Sequence, residues 1–423
     1  MQKRAMEGYE KDWQYKKFCA YGFLKNQRFY ESFMLLYFLN LGISYLQIGI
    51  LYSIREILLN LFEIPAGFLS DTLGRKKTMI TSFILYIFCF ILFSVGESFG
   101  IFILAFIFYA LGDAFRTGTH KAMIYDYLKT KGWEAYKVDY YGQTRSWSQR
   151  GSALSSLIAG AIIFLSGAYR WVFILSILPA FLDLLLLASY PKALDGKALV
   201  FNKEALGETF RTTWKDFAES FRRPKVLRAI VNTSVYSGYY KALKDFLQPV
   251  IQAMVLSLPF FTAEPEEKRT AVIVGIVYFI LYLLTSWSSR NASSLARRFS
   301  STAGALNFTL LAGLMAGFGS GILLYFGYPV LAVLFYVLLY MIENGRKPIG
   351  MGYATDYIKH EVLATALSAE SQLKTIWSAV LIFITGFIAD RFSLSLALIA
   401  ISTFLLLLYP LLRVTVPSPK SPE

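Results

Sequence analysis

Cysteine and histidine are nearly absent from this chain, which has two of each among its 423 residues. Cys19 and Cys89 lie far apart in the sequence, which excludes the disulfide framework typical of small secreted proteins. With so few cysteine and histidine ligands, the sequence predicts no metal site. Charged residues are also scarce: they make up 17% of the chain, against about a quarter in a typical soluble domain.

Common signatures of catalysis and nucleotide binding are missing as well. The sequence contains no P-loop, no dinucleotide-binding fingerprint and no nucleophile elbow. We therefore expect neither an ATP-driven pump nor a membrane hydrolase, and we predict no enzymatic activity and no cofactor.

The chain is instead rich in hydrophobic residues, at 56%, with a mean hydropathy of +0.48. Many apolar runs are near the ~20 residues that an α-helix needs to cross a bilayer. A single soluble core does not account for a dozen such runs. The sequence therefore predicts an all-α membrane protein with twelve transmembrane helices. These spans lie near residues 26–43, 46–70, 78–96, 100–126, 148–167, 170–190, 228–256, 270–288, 303–324, 328–350, 364–388 and 392–413.

A polar stretch divides the predicted spans into two groups of six, which suggests two related halves. Phe210, Trp214, Phe217 and Phe221 recur at helical spacing within that stretch and predict an amphipathic helix that ends at Pro224. The predicted organisation is a cytoplasmic N-terminal segment, an N-terminal half, a linker with this helix, a C-terminal half and a cytoplasmic tail. Their ranges are 1–25, 26–190, 191–227, 228–413 and 414–423.

The net charge of +14 comes from basic clusters between the apolar runs. Such clusters can bind nucleic acid, but in a membrane protein positive charge is retained on the cytoplasmic side, and the second reading is favoured. The alternation of these clusters predicts that both termini are cytoplasmic in a multi-pass protein of the inner (cytoplasmic) membrane. The N-terminal residues lack the apolar core of a cleavable signal peptide.

One loop carries a family resemblance. The segment Gly67-Phe-Leu-Ser-Asp71-Thr-Leu-Gly74-Arg75-Lys76-Lys77 lies between the second and third predicted spans. It resembles the signature loop of the major facilitator superfamily, G-x-x-x-D-x-x-G-R-[RK]-[RK], at every fixed position. Pattern, position and span count together extend the resemblance over the whole chain and imply the fold and the secondary transport of that family.

The residues of this loop also suggest physical roles. Gly67 permits close packing at a helix end, Gly74 permits a tight turn, and Arg75 and Lys76 hold the loop in the cytoplasm. The resemblance implies that Asp71 caps the start of span eleven and that Arg75 pairs with Asp126. A purely topogenic role of the basic residues is the alternative. The fifth span departs from the family's drug:proton antiporters, because it lacks their Gly-Pro-rich motif.

Ionisable residues within spans are costly and normally face a cavity or a partner. The family's fold implies that spans one, four, seven and ten line the central cavity. On these spans we predict proton-coupling carboxylates and substrate-binding residues. The first group is Glu31, Asp113 and Glu343, and the second is Arg116, Lys241, Lys244, Tyr240 and Arg28.

Internal ion pairs are an equally open interpretation of these charges. Asp113 with Arg116 (i, i+3) and Lys241 with Asp245 (i, i+4) have the spacing for pairs that only hold helices together. His120 suits either a proton relay or a structural hydrogen bond. In the ninth span, Gly313 and Gly317 begin a stripe of small residues that predicts close helix packing.

The resemblance implies a secondary active transporter that works by alternating access and is driven by a proton or sodium gradient. An excess of cations expected in the cavity favours a small organic solute that is anionic or zwitterionic. These cations are Arg28, Arg55, Arg116, Lys241, Lys244 and Arg346. Efflux of lipophilic compounds is the alternative within this class. A non-transporting membrane receptor or accessory subunit is the alternative from another class. The expected partners are the solute, the coupling ion and the bilayer, without nucleic acid, and we expect a monomer.

Overall fold

A computed structural model describes residues 9–196, 207, 211, 224–259, 262–357 and 360–414. This part of the chain forms α-helices and short 3₁₀ turns and contains no β-strand. The α-helices are α1 (Trp13–Lys25), α2 (Met34–Asn40), α3 (Tyr45–Leu73), α4 (Arg75–Val95), α5 (Phe99–Arg116), α6 (Thr119–Lys131), α7 (Lys137–Ser166), α8 (Trp171–Ala188), α9 (Pro224–Leu243), α10 (Leu247–Ser257), α11 (Glu266–Arg290), α12 (Ala292–Ala296), α13 (Thr302–Tyr325), α14 (Pro329–Tyr357), α15 (His360–Arg391) and α16 (Leu394–Leu412).

The all-helical class predicted from the sequence is confirmed. Among the described residues, eight helical stretches are long and apolar enough to cross a membrane, judged by length and composition. They coincide with eight of the predicted spans. The other four predicted spans, at 26–43, 46–70, 148–167 and 228–256, fall on helices that are broken or carry charge, and the total of twelve stays a prediction. The predicted amphipathic linker helix lies outside the described residues.

The first predicted span differs from the structure. A single helix was expected over 26–43, but α1 ends at Lys25 and α2 begins at Met34. The Asn26 side chain donates to the Gly22 carbonyl at 2.7 Å, a local bond that competes with continuation of the helix. The first amides of α2, those of Leu35 and Leu36, donate to the side-chain oxygen of Gln248 at 2.9 and 3.3 Å.

The seventh predicted span is also interrupted. A 3₁₀ turn at Lys244–Phe246 separates α9 from α10, so the residues on either side do not keep one α-helical register. This turn changes which charged side chains can pair.

Spatial proximity divides the chain into two compact units. Unit 1 comprises Met1–Met34 and Leu58–Leu206, and unit 2 comprises Leu35–Ile57 and Gly207–Glu423. Unit 2 therefore includes α2 from Leu35 onward and the first part of α3, two elements that the sequence assigns to the N-terminal half. The predicted half boundaries remain predictions.

Small residues let helices approach closely within unit 1. A Cβ atom on Gly22 of α1 would lie 2.9 Å from the Ser148 hydroxyl of α7, and one on Gly151 would lie 2.5 Å from the Phe23 carbonyl. Ser82 of α4 donates to the carbonyl of Gly112 on α5 at 2.6 Å. These contacts bring α1 and α7, and α4 and α5, close enough to surround polar side chains.

In unit 2, the predicted glycine stripe of α13 does mediate close packing. The hydroxyls of Tyr236 and Tyr239 from α9 occupy the space where Gly313 and Gly317 would carry a Cβ atom. The Tyr239 hydroxyl also hydrogen-bonds Ser402 of α16 at 2.7 Å. Glycine is needed here because a tyrosine fills the place of the missing side chain.

Candidate functional site

Unit 1 contains a strongly basic cavity of about 320 Å³. Four helices contribute a cation to its wall: Lys25 from α1, Arg116 from α5, Lys121 from α6 and Arg145 from α7. The described residues that line it include no aspartate or glutamate. Such a wall attracts negative charge, so the cavity suits an anionic group.

Arg116 and Asp113, predicted for substrate binding and proton coupling, form an ion pair on one face of α5. Tyr86 of α4 donates to the same carboxylate at 2.7 Å, and the Arg116 Nε donates to the Tyr86 hydroxyl at 3.0 Å. The pairing left open by the sequence is therefore present. Arg116 also lines the basic cavity, so its ion pair with Asp113 does not remove it from the cavity wall.

Arg28 and Glu31 lie together in the turns between α1 and α2, with a nitrogen–oxygen distance of 3.7 Å. Both were predicted site residues, one for substrate and one for proton coupling. Lys25 is different, because no described acidic side chain lies within ion-pairing distance of its ammonium.

Asp183 is a buried acid that the sequence interpretation missed. It lies on α8 with 0% exposure, and neither of its carboxylate oxygens has a hydrogen-bond partner among the described residues. It lines a second cavity, of about 30 Å³, together with Lys25, Arg28 and Arg116. The available signal was a lone acid in the apolar run WVFILSILPAFLDLLLLA.

His120 lies on the wall of the basic cavity in a structural setting. Its Nε2 atom is 3.2 Å from the Tyr190 hydroxyl, and its ring stacks on Tyr21 at 3.7 Å and 18°. Of the two roles considered, these contacts match the structural hydrogen bond.

A second charged cluster lies in unit 2, around Glu56 of α3. Lys241 of α9 pairs with one oxygen of this buried carboxylate, and Arg55 contacts the other at 3.1 Å. The pair of Lys241 with Asp245 considered from spacing does not form. The 3₁₀ turn shifts Asp245 out of the α9 register, and Asp245 instead lies 3.5 Å from Lys244.

Glu343 of α14, a predicted proton-coupling residue, is 2% exposed. One oxygen accepts from Ser237 at 3.0 Å and lies 3.4 Å from the Lys347 ammonium, and its other oxygen has no partner among the described residues. The predicted substrate residue Tyr240 packs edge-on against Tyr340, with ring centroids 5.0 Å apart.

Arg346 is a structural residue, although the sequence counts it among the cavity cations. It is 4% exposed and donates to the Leu306 carbonyl at 2.5 Å, to the Thr309 hydroxyl at 2.8 Å and to the Asn232 side chain at 2.8 Å. Its guanidinium also covers the Tyr236 ring at 4.6 Å. Arg346 thereby connects α14 with α9 and α13.

The signature loop of unit 1 shows the ion pair that the resemblance implies, between Arg75 and Asp126. The turn at Gly74 has φ of 96°, and the Lys76 amide donates to the Asp195 carboxylate at 2.8 Å, so Asp195 caps α4. A Cβ on Gly74 would lie 2.5 Å from that carboxylate. The Lys76 ammonium donates to the Tyr190 carbonyl at 2.7 Å.

Two other members of the loop have a different status. A Cβ on Gly67 would meet no described atom within 4 Å, and the close packing expected there stays a prediction. The side chain of Asp71 lies outside the described part of the chain, and its capping role stays a prediction.

Helices of this length and apolarity, together with charge enclosed between them, define a multi-pass membrane protein. The family model described as Major Facilitator Superfamily matches residues 26–370. The chain therefore belongs to the major facilitator superfamily of transporters, as its signature loop indicates.

Solved structures agree on the fold. A mutant of the nucleoside transporter NupG has a TM-score of 0.76 at 12% identity, covering 94% of this chain and 98% of that one. A bacterial homolog of the human lysosomal transporter Spinster has a TM-score of 0.72 at 15% identity, covering 96% and 98%. A POT family transporter in complex with 5-aminolevulinic acid has a TM-score of 0.61 at 15% identity, covering 94% of each. No curated protein sequence matches the chain.

Proposed function

We propose that this protein is a secondary active transporter that moves a small organic anion or zwitterion across the cytoplasmic membrane. Transport proceeds by alternating access of twelve spans in two halves, with both termini cytoplasmic, and is coupled to a proton or sodium gradient. The observation that carries the proposal is the basic cavity of about 320 Å³ in unit 1.

The size and composition of that cavity support a small charged solute. Its volume falls in the range of about 300–1,000 Å³ typical of small-molecule sites. Lys25, Arg116, Lys121 and Arg145 supply charge, while Tyr21 and Tyr141 supply flat apolar surface. Arg116 and Arg145 present planar guanidinium groups, which suit the two oxygens of a carboxylate or phosphate.

One similar structure provides a chemical lead. The POT family transporter was solved with 5-aminolevulinic acid, a small zwitterion with one carboxylate. A solute of this kind is therefore a sensible first member of a substrate panel for the present protein.

Efflux of lipophilic compounds is the second candidate within the class, and the aromatic part of the cavity wall favours it. Four cations in the same wall disfavour it, because an uncharged ligand gains no attraction from their positive charge. A receptor on the same scaffold is the candidate from another class, and it would bind solute without moving it.

The test is uptake into proteoliposomes of a panel of labelled carboxylates and zwitterions, each paired with its uncharged amide. We expect saturable uptake of at least one charged member and none of its amide. Arg145→Gln should weaken that uptake about tenfold or more, since it removes a charge-assisted contact. Arg150→Gln is the matched control, one turn and a half further along α7, where Arg150 covers the Trp147 ring at 4.9 Å. Equal uptake of acid and amide would contradict the proposal, and binding without flux would indicate the receptor.

A further inference from the structure

The two cavities of unit 1 share two lining residues, Lys25 and Arg116. The larger cavity is the basic one, and the smaller one contains Asp183 in its wall. Arg116 is already paired with Asp113, whereas Lys25 has no ion pair with a described residue. Lys25 therefore belongs to the wall of the basic cavity and to the wall that contains Asp183.

Asp183 itself is poised to bind a proton. A fully buried carboxylate without hydrogen bonds is costly as an anion, and a nearby cation is its main compensation. The small cavity, of about 30 Å³, is large enough for a water molecule that could carry a proton to it. The charged and titratable groups around Asp183 come from α1, the following turns, α4, α5 and the residues after α8. They are Lys25, Tyr21, Arg28, Tyr30, Tyr86, Arg116 and Tyr190.

We infer that Asp183 is a proton-binding site coupled to the basic cavity through Lys25, so that an anion and a proton load together. The inference rests on the proposed function in one respect, namely that the anion is the solute that the protein transports. When an anion enters the basic cavity, it attracts the Lys25 ammonium, and Asp183 loses compensation and takes up a proton. By linkage, protonation of Asp183 frees Lys25 and strengthens anion binding to the same degree.

This coupling makes the solute a proton-symported anion. The protonated Asp183 is neutral, and the anion replaces its charge opposite Lys25, so the net charge around Lys25 is preserved. The loaded site therefore avoids both an uncompensated cation and an uncompensated carboxylate in the membrane interior.

The experiment is a pH titration of the full-length protein in liposomes by infrared difference spectroscopy, following the carbonyl band of a protonated carboxyl group. Subtraction of Asp183→Asn, an isosteric variant, identifies the Asp183 contribution. We expect this band to grow as the pH falls. Lys25→Gln should move its midpoint upward by about 1–3 pH units, the effect expected for loss of a neighbouring opposite charge. Lys121→Gln is the matched control, because Lys121 lines only the basic cavity, and its midpoint should stay close to that of the wild type.

Added anions test the link between the two cavities. Acetate, benzoate and phosphate serve as probes, with acetamide and benzamide as uncharged counterparts. We expect at least one anion to raise the midpoint in the wild type, no amide to do so, and the effect to disappear in Lys25→Gln.

Either of two results would overturn the inference: an Asp183 band that is absent at every pH where the protein stays folded, or a midpoint that no anion and no Lys25 substitution moves. Since Lys25→Gln is measured with Asp183 intact, misfolding of Asp183→Asn alone does not decide the test. Anion flux without an Asp183 band rejects the proton site but leaves the proposed function. An Asp183 band that responds to Lys25 without any flux rejects the proposed function but leaves the proton site.

Discussion

Lys241 of α9 forms an ion pair with Glu56 of α3, two residues that lie 185 positions apart in the chain. Glu56 is 2% exposed, and Arg55 provides its second cation at 3.1 Å. The sequence assigns α3 to the N-terminal half and α9 to the C-terminal half. The pair thus joins the two predicted halves inside unit 2, where Ser53 also donates to the Ala379 carbonyl at 2.8 Å.

Removal of one partner of this pair should destabilise the protein. Lys241→Met leaves the buried Glu56 with Arg55 alone, and loss of one partner from a buried pair costs about 3–5 kcal/mol. We expect a clearly lower unfolding midpoint in thermal melts of the purified protein in detergent. Lys241→Met combined with Glu56→Gln should recover much of the loss, because no buried carboxylate then remains. If the drop in melting midpoint of the double variant equals the sum of the drops in the two single variants, loss of the ion pair is not the cause of the destabilisation.

The contact between Gly317 and Tyr239 predicts a compensating pair of substitutions. Gly317→Ala places a methyl group where the Tyr239 hydroxyl lies, and overpacking of this kind costs about 1–3 kcal/mol. Tyr239→Phe loses its hydrogen bond to Ser402, at about 1 kcal/mol. The double variant should be more stable than the sum of the single effects, measured as thermal melting midpoints. If the two shifts in melting midpoint were strictly additive, the Tyr239 hydroxyl would not occupy the space beside Gly317.

Arg346 should prove structural rather than ligand-binding. Arg346→Lys loses most of the hydrogen bonds that join α14 to α9 and α13, since one ammonium does not reproduce the guanidinium geometry. We expect a reduced melting midpoint and lower yield, with solute affinity of the folded fraction unchanged within about twofold. Arg290→Lys, at an exposed position that ends α11, is the control for stability. An affinity loss of tenfold or more at Arg346→Lys would place this residue in a binding site.

The signature loop should affect transport more than folding. The Arg75 and Asp126 side chains are 22% and 47% exposed, so their ion pair contributes at most about 1 kcal/mol to stability. Asp126→Asn and Arg75→Gln should therefore melt close to the wild type. Asp71→Asn should impair transport while membrane insertion stays intact, measured as flux per inserted protein. Unchanged flux in Asp71→Asn would reject a gating role for that residue.

Gly74 is the member of the loop with a conformational requirement. Gly74→Ala would place a side chain on a residue with a φ of 96° and against the Asp195 carboxylate that caps α4. It should therefore lower the free energy of unfolding by about 1–3 kcal/mol. Asp195→Ala removes only the cap, at about 1 kcal/mol. The order of melting midpoints, wild type above Asp195→Ala above Gly74→Ala, checks both effects.

Hydropathy was sufficient to predict the helical class, because an apolar run long enough to cross a bilayer forms a helix through hydrogen bonds within its own segment. Eight predicted spans coincide with such helices, and the signature loop identified the family correctly. The break after α1 was not predicted, since apolar residues such as Phe29, Tyr30 and Phe33 continue the hydrophobic pattern through it. The Asn26 bond to the Gly22 carbonyl and the Gln248 contacts that accompany the break are tertiary details.

The site was only partly predictable for a related reason. Spacing along one helix correctly suggested Asp113 with Arg116, because both lie on α5. Spacing failed for Lys241, whose partner Glu56 belongs to a distant helix. Asp183 was overlooked because its helix reads as uniformly apolar, although one acid in such a run is itself an unusual and costly choice.

The turns between α1 and α2 have a mechanical consequence. The amides that begin α2 are satisfied by the amide oxygen of Gln248 rather than by carbonyls one turn earlier, and α1 is already closed off by Asn26. A torsional change within residues 27–33 would therefore leave both helical hydrogen-bond ladders intact. The packing of buried side chains in this segment, such as Tyr30 on Phe173, therefore resists bending here more than the helical hydrogen bonds do.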